Sequence, residues 1–381
     1  MHRSSLFVAT ASMVALAASS AFAVEEVFET EKGRIQVTTV VDGIAHPWAI
    51  AFLPEGGMLV TEKSGALRHV SEAGELSEPI AGTPDVDARG QGGLLDVTLD
   101  PEFANNRLVY VSYAEAGEGG NGTAVARGKL SEDLTSLDEV EVIFQQQPKV
   151  ASTAHFGSRL VFSNEGHLYV LLGERSQAQF RGQAQDLDSH LGKVVRINPD
   201  GSVPEDNPFV GQDGALPEIY AYGTRNVQAA AINPESGVLW EIEHGPRGGD
   251  ELNIIQPGAN YGWPLVTLGV EYSGDTIGDG LETAEGMVDA IYTWTPVIAP
   301  SGMIFYGGDV FADWQGNLFV GGLASTALVR LELDGDAVVH EERLLESLGL
   351  RIRDVAEGPD GAIYVATDEA NGEILRIAPA D

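Results

Sequence analysis

The 381-residue chain contains no cysteine. That absence removes disulfides, thiolate metal sites, iron–sulfur clusters and cysteine nucleophiles from its chemistry. Positive charge is scarce as well, with 22 Lys and Arg against 57 Asp and Glu and a net charge of −35. A surface this acidic repels phosphate backbones and anionic lipid, so nucleic acid and membrane surfaces are poor partners. Beyond the first two dozen residues, no segment approaches the ~18 uninterrupted apolar residues of a spanning helix. Also missing are a Walker phosphate loop, a Rossmann fingerprint, a G-x-S-x-G nucleophile elbow, an H-E-x-x-H zinc helix and an EF-hand loop. Glycine, in contrast, is abundant: 46 residues of 381, about 12% against the usual ~7%. Without a collagen period this surplus implies many tight turns, as an all-β chain requires.

The first residues read as an address. Arg3 supplies a small positive region, Leu6 to Ala18 a short apolar run, and Ala21-Phe22-Ala23 fits the small-residue cleavage rule. Residues 1–23 are therefore expected to be a secretory signal peptide, with the mature protein exported to the periplasm or secreted and not inserted in a membrane. Loss of Arg3 would take the net charge from −35 to −36.

The rest of the chain repeats one unit six times: a short apolar strand, a Pro/Asn/Gly turn, a second strand rich in Val, Leu and Tyr, then a polar, glycine-containing loop. The copies are Trp48–Val60, Leu94–Val111, Leu160–Leu171, Val227–Glu241, Met303–Val320 and Val355–Val365. Turns such as Pro54-Glu55-Gly56, Asn164-Glu165-Gly166 and Pro359-Asp360-Gly361 carry hairpin chemistry. Six copies predict an all-β six-bladed β-propeller, with four-stranded antiparallel blades around a central channel, filling residues 24–381 as one domain. Glu341 to Leu348 reads as a turn of helix between blades. The widest gaps between copies, 171–227 and 241–303, predict long loops, where functional groups tend to sit.

Several residues in or beside those loops could carry chemistry. His155 precedes the first strand of the third copy, which places it at the channel mouth and suits it as a general base. His46 and His244 are rivals on the same logic. Asp250 and Glu251 lie beside glycine-rich backbone, a combination that fits either a calcium site or an ordinary acidic turn. Arg225-Asn226 and Arg351-Ile352-Arg353 each open a copy, and alternation puts Arg351 and Arg353 on one face. Such a pair serves either an anionic ligand or the nearby acids.

Taken in order, GQGGLLDVTLDPEF, HFGSRLVF, QAQDLDSHLGKVVRINPDGSVPEDNPF, YGTRNVQ, EHGPRGGDELNII, GANYGWP, IAPSGMIFY and RIRDV resemble the soluble quinoprotein aldose (glucose) dehydrogenases. These are six-bladed propellers that use pyrroloquinoline quinone (PQQ) and Ca²⁺. The resemblance runs from about Gly43 to Ile377. It implies that His155 takes the proton from the anomeric hydroxyl of an aldose, oriented by Glu174, with Gln91 near the cofactor. It implies that Arg225 and Asn226 contact the quinone and that Arg351 and Arg353 face PQQ carboxylates. The Gly245 and Pro246 carbonyls would ligate the PQQ-bound calcium, and Glu251 with the Tyr261 carbonyl a second, structural calcium. The product would be a lactone, and an external electron acceptor would reoxidise the cofactor. Two positions depart from the family: Ala324 stands where the glucose enzymes carry a lysine, and Thr224 where a histidine often precedes Arg-Asn. A calcium-dependent lactone or ester hydrolase, and a non-catalytic sugar- or PQQ-binding propeller, remain alternatives on the same scaffold. The preferred sugar is not encoded legibly, and monomer and dimer are both open.

Overall fold

The structure, a computed structural model, describes residues 24–380. The expected signal peptide, residues 1–23, lies outside them. Among the described residues, no helix is long and apolar enough to cross a membrane.

Each of the six sequence copies forms the inner two strands of one sheet. In order around the ring these hairpins are Pro47–Phe52 with Met58–Glu62, Leu94–Leu99 with Leu108–Gly117, and Gly157–Phe162 with Leu168–Leu172. Val227–Ile232 with Leu239–Glu243, Pro300–Phe305 with Leu318–Gly322, and Ile352–Glu357 with Ile363–Thr367 complete the set. In every blade but the second, all residues of the second strand are buried. Neighbouring blades cover both faces of each sheet, which is why these strands are short continuous apolar runs and not alternating ones.

The core is accordingly divided among six seams. Trp48 and Leu59 meet Leu94 and Val109 between the first and second blades, and Tyr110 and Val125 meet Leu160 and Val170 at the next seam. Leu171 packs with Val227 and Leu239, and Trp240 with Met303 and Val320. Phe319 and Leu328 meet Ile352 and Val365, and Tyr364 with Ile374 closes on Ile50 and Val60.

The expected four strands hold for the second to fifth blades. The first has three, ending at Leu67–Val70. Its outer place is taken by an irregular segment in which Ser77 donates to the His69 carbonyl (2.8 Å) and Ile80 to that of Leu67 (2.8 Å). The sixth has five, because Gly372–Pro379 pairs with Gly33–Ile44 from the start of the described chain, followed by Glu25–Thr30. Strands from the two ends of the chain thus close the ring. The reading of Glu341 to Leu348 as helix is corrected: Ala337–Leu344 is the outermost strand of the fifth blade, and only Glu346–Leu348 forms a 3₁₀ turn. Arg330 Nε donates to Glu342 (2.8 Å) and Trp294 Nε1 to Glu341 (2.8 Å), and this tertiary pairing overrides local helix propensity.

Antiparallel pairing places the start of every first strand and the end of every second strand at the same rim of the ring. All six innermost strands also carry a register irregularity near their start. Such bulges re-aim side chains, here at the rim around the axis.

Candidate active site

A cavity of about 410 Å³ opens at that rim. Its lining brings together Gln91, His155, Arg225, Asn226, Gly245, Arg351 and Arg353, residues contributed by four blades. His46 and His244, the rival histidines, line it as well.

His155 sits in a left-handed backbone conformation (φ 49°) two residues before its strand. Its backbone N–H donates to Gln91 Oε1 (2.8 Å), and the Gln91 N–H donates to the Thr153 carbonyl (2.7 Å), so two loops fix each other. The imidazole is buried and its Nδ1 lies 2.7 Å from Glu174 Oε1. An ionised carboxylate only accepts, so this contact puts the ring proton on Nδ1 and leaves the Nε2 lone pair for the cavity. Glu174 is itself held, accepting the Ser176 N–H (2.9 Å) on Oε2. Burial lowers the His155 pKa from 6.5, and the positive charges of Arg225 and Arg175 lower it further, against the raising effect of Glu174.

Close backbone approach makes this corner work. A Cβ on Gly173 would strike the His155 carbonyl and come within 2.8 Å of Asn226 Oδ1, the atom that accepts the Gly157 N–H (3.0 Å). Beneath, the fully buried Arg175 donates to Asn121 Oδ1 (2.6 Å) and to the carbonyls of Ser152 (2.9 Å) and Ala154 (3.1 Å). Its guanidinium stacks 3.6 Å from the Phe156 ring centroid. Arg175 therefore clamps the segment leading into His155.

On the opposite wall, Arg225 Nη1 donates to the carbonyls of His244 (2.6 Å) and Gly245 (2.7 Å). The Nε of Arg225, the Nε of Arg353 and the Nε2 of the buried His244 have no hydrogen-bond partner. Arg351 and Arg353 do lie on one face, yet one oxygen, Asp368 Oδ2, takes Arg351 Nη2 (2.7 Å) and Arg353 Nη2 (3.0 Å). In the protein by itself this pair serves a neighbouring acid.

The residues expected at calcium fall in two groups. Gly245 lines the main cavity, whereas Pro246, Glu251 and Tyr261 surround an adjoining void of about 10 Å³ together with Glu243 and Gly245. Burial, and then the charges of Asp250 and Asp289, push the Glu251 carboxyl up to about 8. Asp250 is tied to backbone N–H groups. Its Oδ1 accepts the Gly245 N–H (2.7 Å) and its Oδ2 accepts those of Ile298 and Ala299 (2.8 Å each), so it organises loops. Among the described residues, no three His, Asp or Glu side chains converge to hold a metal by themselves.

Ala324 lies beside the mouth, its N–H on the Ile298 carbonyl (2.9 Å), and the preceding Leu323 lines the cavity. Sequence reasoning missed Lys63, Trp48, Gln228, Tyr272 and Asp368 among the lining residues. A signal for two of them exists: Lys63 and Asp368, like His244 and Leu323, immediately follow the second strand of their blade.

Comparison with known proteins gives a consistent picture. The family model for glucose/sorbosone dehydrogenase matches residues 44–376. The chain is 48% identical to the aldose sugar dehydrogenase YliI of Escherichia coli over 348 residues, 91% of this chain and 93% of the relative. A crystal structure of a glucose dehydrogenase aligns with a TM-score of 0.87 at 51% identity, covering 91% of this chain and 99% of that one. The PQQ-bound aldose sugar dehydrogenase of Streptomyces coelicolor aligns with a TM-score of 0.74 at 28% identity, covering 92% and 100%.

Proposed function

Because the chain belongs to the glucose/sorbosone dehydrogenase family, we propose that it is a PQQ- and calcium-dependent aldose sugar dehydrogenase that oxidises C1 of the sugar to the lactone. The observation that carries this reading is His155, held through Nδ1 by Glu174 at 2.7 Å and lining a cavity edged by arginines.

The cavity suits the cofactor. Unpartnered buried donors on Arg225 and Arg353 call for an acceptor-rich, anionic ligand, and PQQ is a planar quinone with three carboxylates. Arg225, Asn226, Arg351, Arg353 and Gln91 would hold it. When bound, it supplies the two-electron acceptor for the hydrogen at C1. The carbonyls of Gly245 and Pro246 would ligate a calcium ion acting there as Lewis acid, and Glu251 with the Tyr261 carbonyl a structural one.

The chain's own part is proton transfer and positioning. His155 Nε2 takes the proton of the C1 hydroxyl as C1 is oxidised, and Glu174 stabilises the imidazolium that forms. Arg225 places positive charge where negative charge grows, and the loops of Gln91 and Arg175 keep the imidazole from drifting. An external electron acceptor completes the cycle.

The pH dependence follows from His155. Only the neutral ring accepts a proton, so kcat/KM rises with pH through a pKa depressed below 6.5 and levels off above it. A profile still climbing steeply between pH 7 and 8 would contradict the assignment. The activity itself is tested by following reduction of an electron-accepting dye by the mature chain with Ca²⁺, with and without PQQ, over a panel of mono- and disaccharides. Sugar oxidation that requires PQQ is expected. Turnover of lactones or esters without PQQ, or PQQ binding without turnover, would replace it by a hydrolase or a binding protein. We also propose export with cleavage after Ala23, which N-terminal sequencing of the protein from the periplasm or medium would check.

A further inference from the structure

Four cations line the cavity: Lys63, Arg225, Arg351 and Arg353. Asp368 neutralises two of them, accepting from Arg351 (2.7 and 3.0 Å) and Arg353 (3.0 Å). Arg225 directs Nη1 at two backbone carbonyls. Lys63, like Arg225 and unlike the pair on Asp368, has no carboxylate partner among the described residues. Its Nζ donates to the Gly90 carbonyl alone (2.5 Å), and among the described residues no carboxylate lies within ion-pair distance of it. In a chain with 57 acidic and 22 basic residues, a lysine kept clear of every acid at the edge of a cavity needs a reason.

The lysine is also held firmly. Its backbone N–H donates to the His46 carbonyl (3.1 Å), and its own carbonyl accepts the Leu94 N–H (3.2 Å). Its stem runs over Gly93, where a Cβ would meet Lys63 Cγ at 2.8 Å and strike its carbonyl. Three donors with one bond made leave two for the cavity or for water. A strongly hydrated ammonium fixed in this way is suited to an anionic oxygen and is poorly suited to a neutral hydroxyl alone.

We propose that Lys63 is a ligand-binding residue of this cavity and that it grips a carboxylate, supplied either by the bound cofactor or by an acidic sugar. The inference rests on the dehydrogenase reading above for its choice of ligands, but the binding titrations in its test do not depend on turnover.

The test is calorimetric titration of PQQ, in calcium buffer, into the wild type, Lys63→Gln and Lys63→Arg, together with KM for glucose and glucuronate. Loss of one charge-assisted hydrogen bond should weaken the affected ligand by about tenfold or more, and arginine should restore most of it. A raised Kd for PQQ in Lys63→Gln assigns the contact to the cofactor. An unchanged Kd with a raised KM for glucuronate, and an unchanged KM for glucose, assigns it to the sugar. If neither changes, the proposal is overturned. A wild type that binds no PQQ would instead defeat the proposed function. In that event citrate, a tricarboxylate without redox chemistry, is titrated into the same three proteins. Weaker citrate binding by Lys63→Gln then supports the role of Lys63, and equal binding overturns it.

Discussion

Replacing His155 with glutamine is expected to cut turnover by about 10²–10⁴ while PQQ still binds. Glutamine is close to histidine in reach, and its amide can donate to Glu174 as Nδ1–H does, so the pocket stays filled. What it lacks is a nitrogen able to accept a proton. The remaining rate would come from positioning and from Arg225, which the substitution leaves in place. Turnover at saturating sugar and a separate PQQ titration check the two halves of the statement. Activity within a factor of three of the wild type would mean that another group, His46 or His244, takes the proton. Burial and the neighbouring His155, Arg225 and Arg353 charges hold His244 well below the usual histidine range.

The second large effect lies on the propeller axis and concerns stability. Arg159 donates Nη1 to Asp96 (2.9 Å), Nη2 to Asp354 (2.9 Å) and Nε to the Gln228 carbonyl (2.9 Å). Asp96 accepts the Leu160 N–H (2.6 Å), and Asp354 accepts that of Ile50 (2.8 Å). Five blades are thereby joined across the channel. The fifth blade abuts them through Gly302, where a Cβ would strike Asp354. Burial pushes the Asp96 carboxyl up to about 7, against the lowering effect of Arg159. Asp96→Ala would leave a buried guanidinium with one carboxylate fewer and the Leu160 N–H unpaired. The expected loss is about 3–5 kcal/mol, a fall in Tm on the order of 10 °C. Thermal and denaturant unfolding measure it, and a Tm within 2 °C of the wild type would show that the axis tolerates an unpaired charge. Asp96→Asn, which keeps a hydrogen-bonding side chain, should lose less.

Much of this architecture was legible because each blade's inner hairpin is sequence-local. Leu160–Leu171 carries its turn residues and both strands within a dozen positions, so pattern and geometry coincide. The outer strands were harder to read. They are polar and partly exposed, so the helix-like Glu341–Leu348 and the irregular segment at Ser77–Ile80 lack a clean period. In the site, His155, Arg225 and the Arg351–Arg353 pair stood out through scarce residue types and family resemblance. Lys63 and Asp368 did not, because nothing near them in sequence marks them. They reach the cavity only because the ring turns the ends of separate hairpins inward. Aligning the six copies on their first two strands would have exposed both, since the position after the second strand recurs at the rim. Asp250 was ambiguous for the opposite reason: a carboxylate beside glycines reads equally as a cation ligand or a turn, and its three N–H partners show only that it also organises loops.

Closure of the ring by its two chain ends has a kinetic consequence. Ile35 pairs with Pro379 and Ile44 with Gly372, so the last seam forms only after nearly the whole chain has been ordered. Joining ends that far apart costs about 5 kcal/mol in loop-closure entropy by the logarithmic law for flexible chains, before any contact at the seam repays it. Contact order is correspondingly high, and folding is expected to be slow relative to helical proteins of this size. Until closure, the apolar flanks of the first and sixth blades, Ile50, Val60, Tyr364 and Ile374 among them, have no partner. The open ring is the aggregation-prone species, and the rate at which the terminal strand docks sets how long the molecule spends in it.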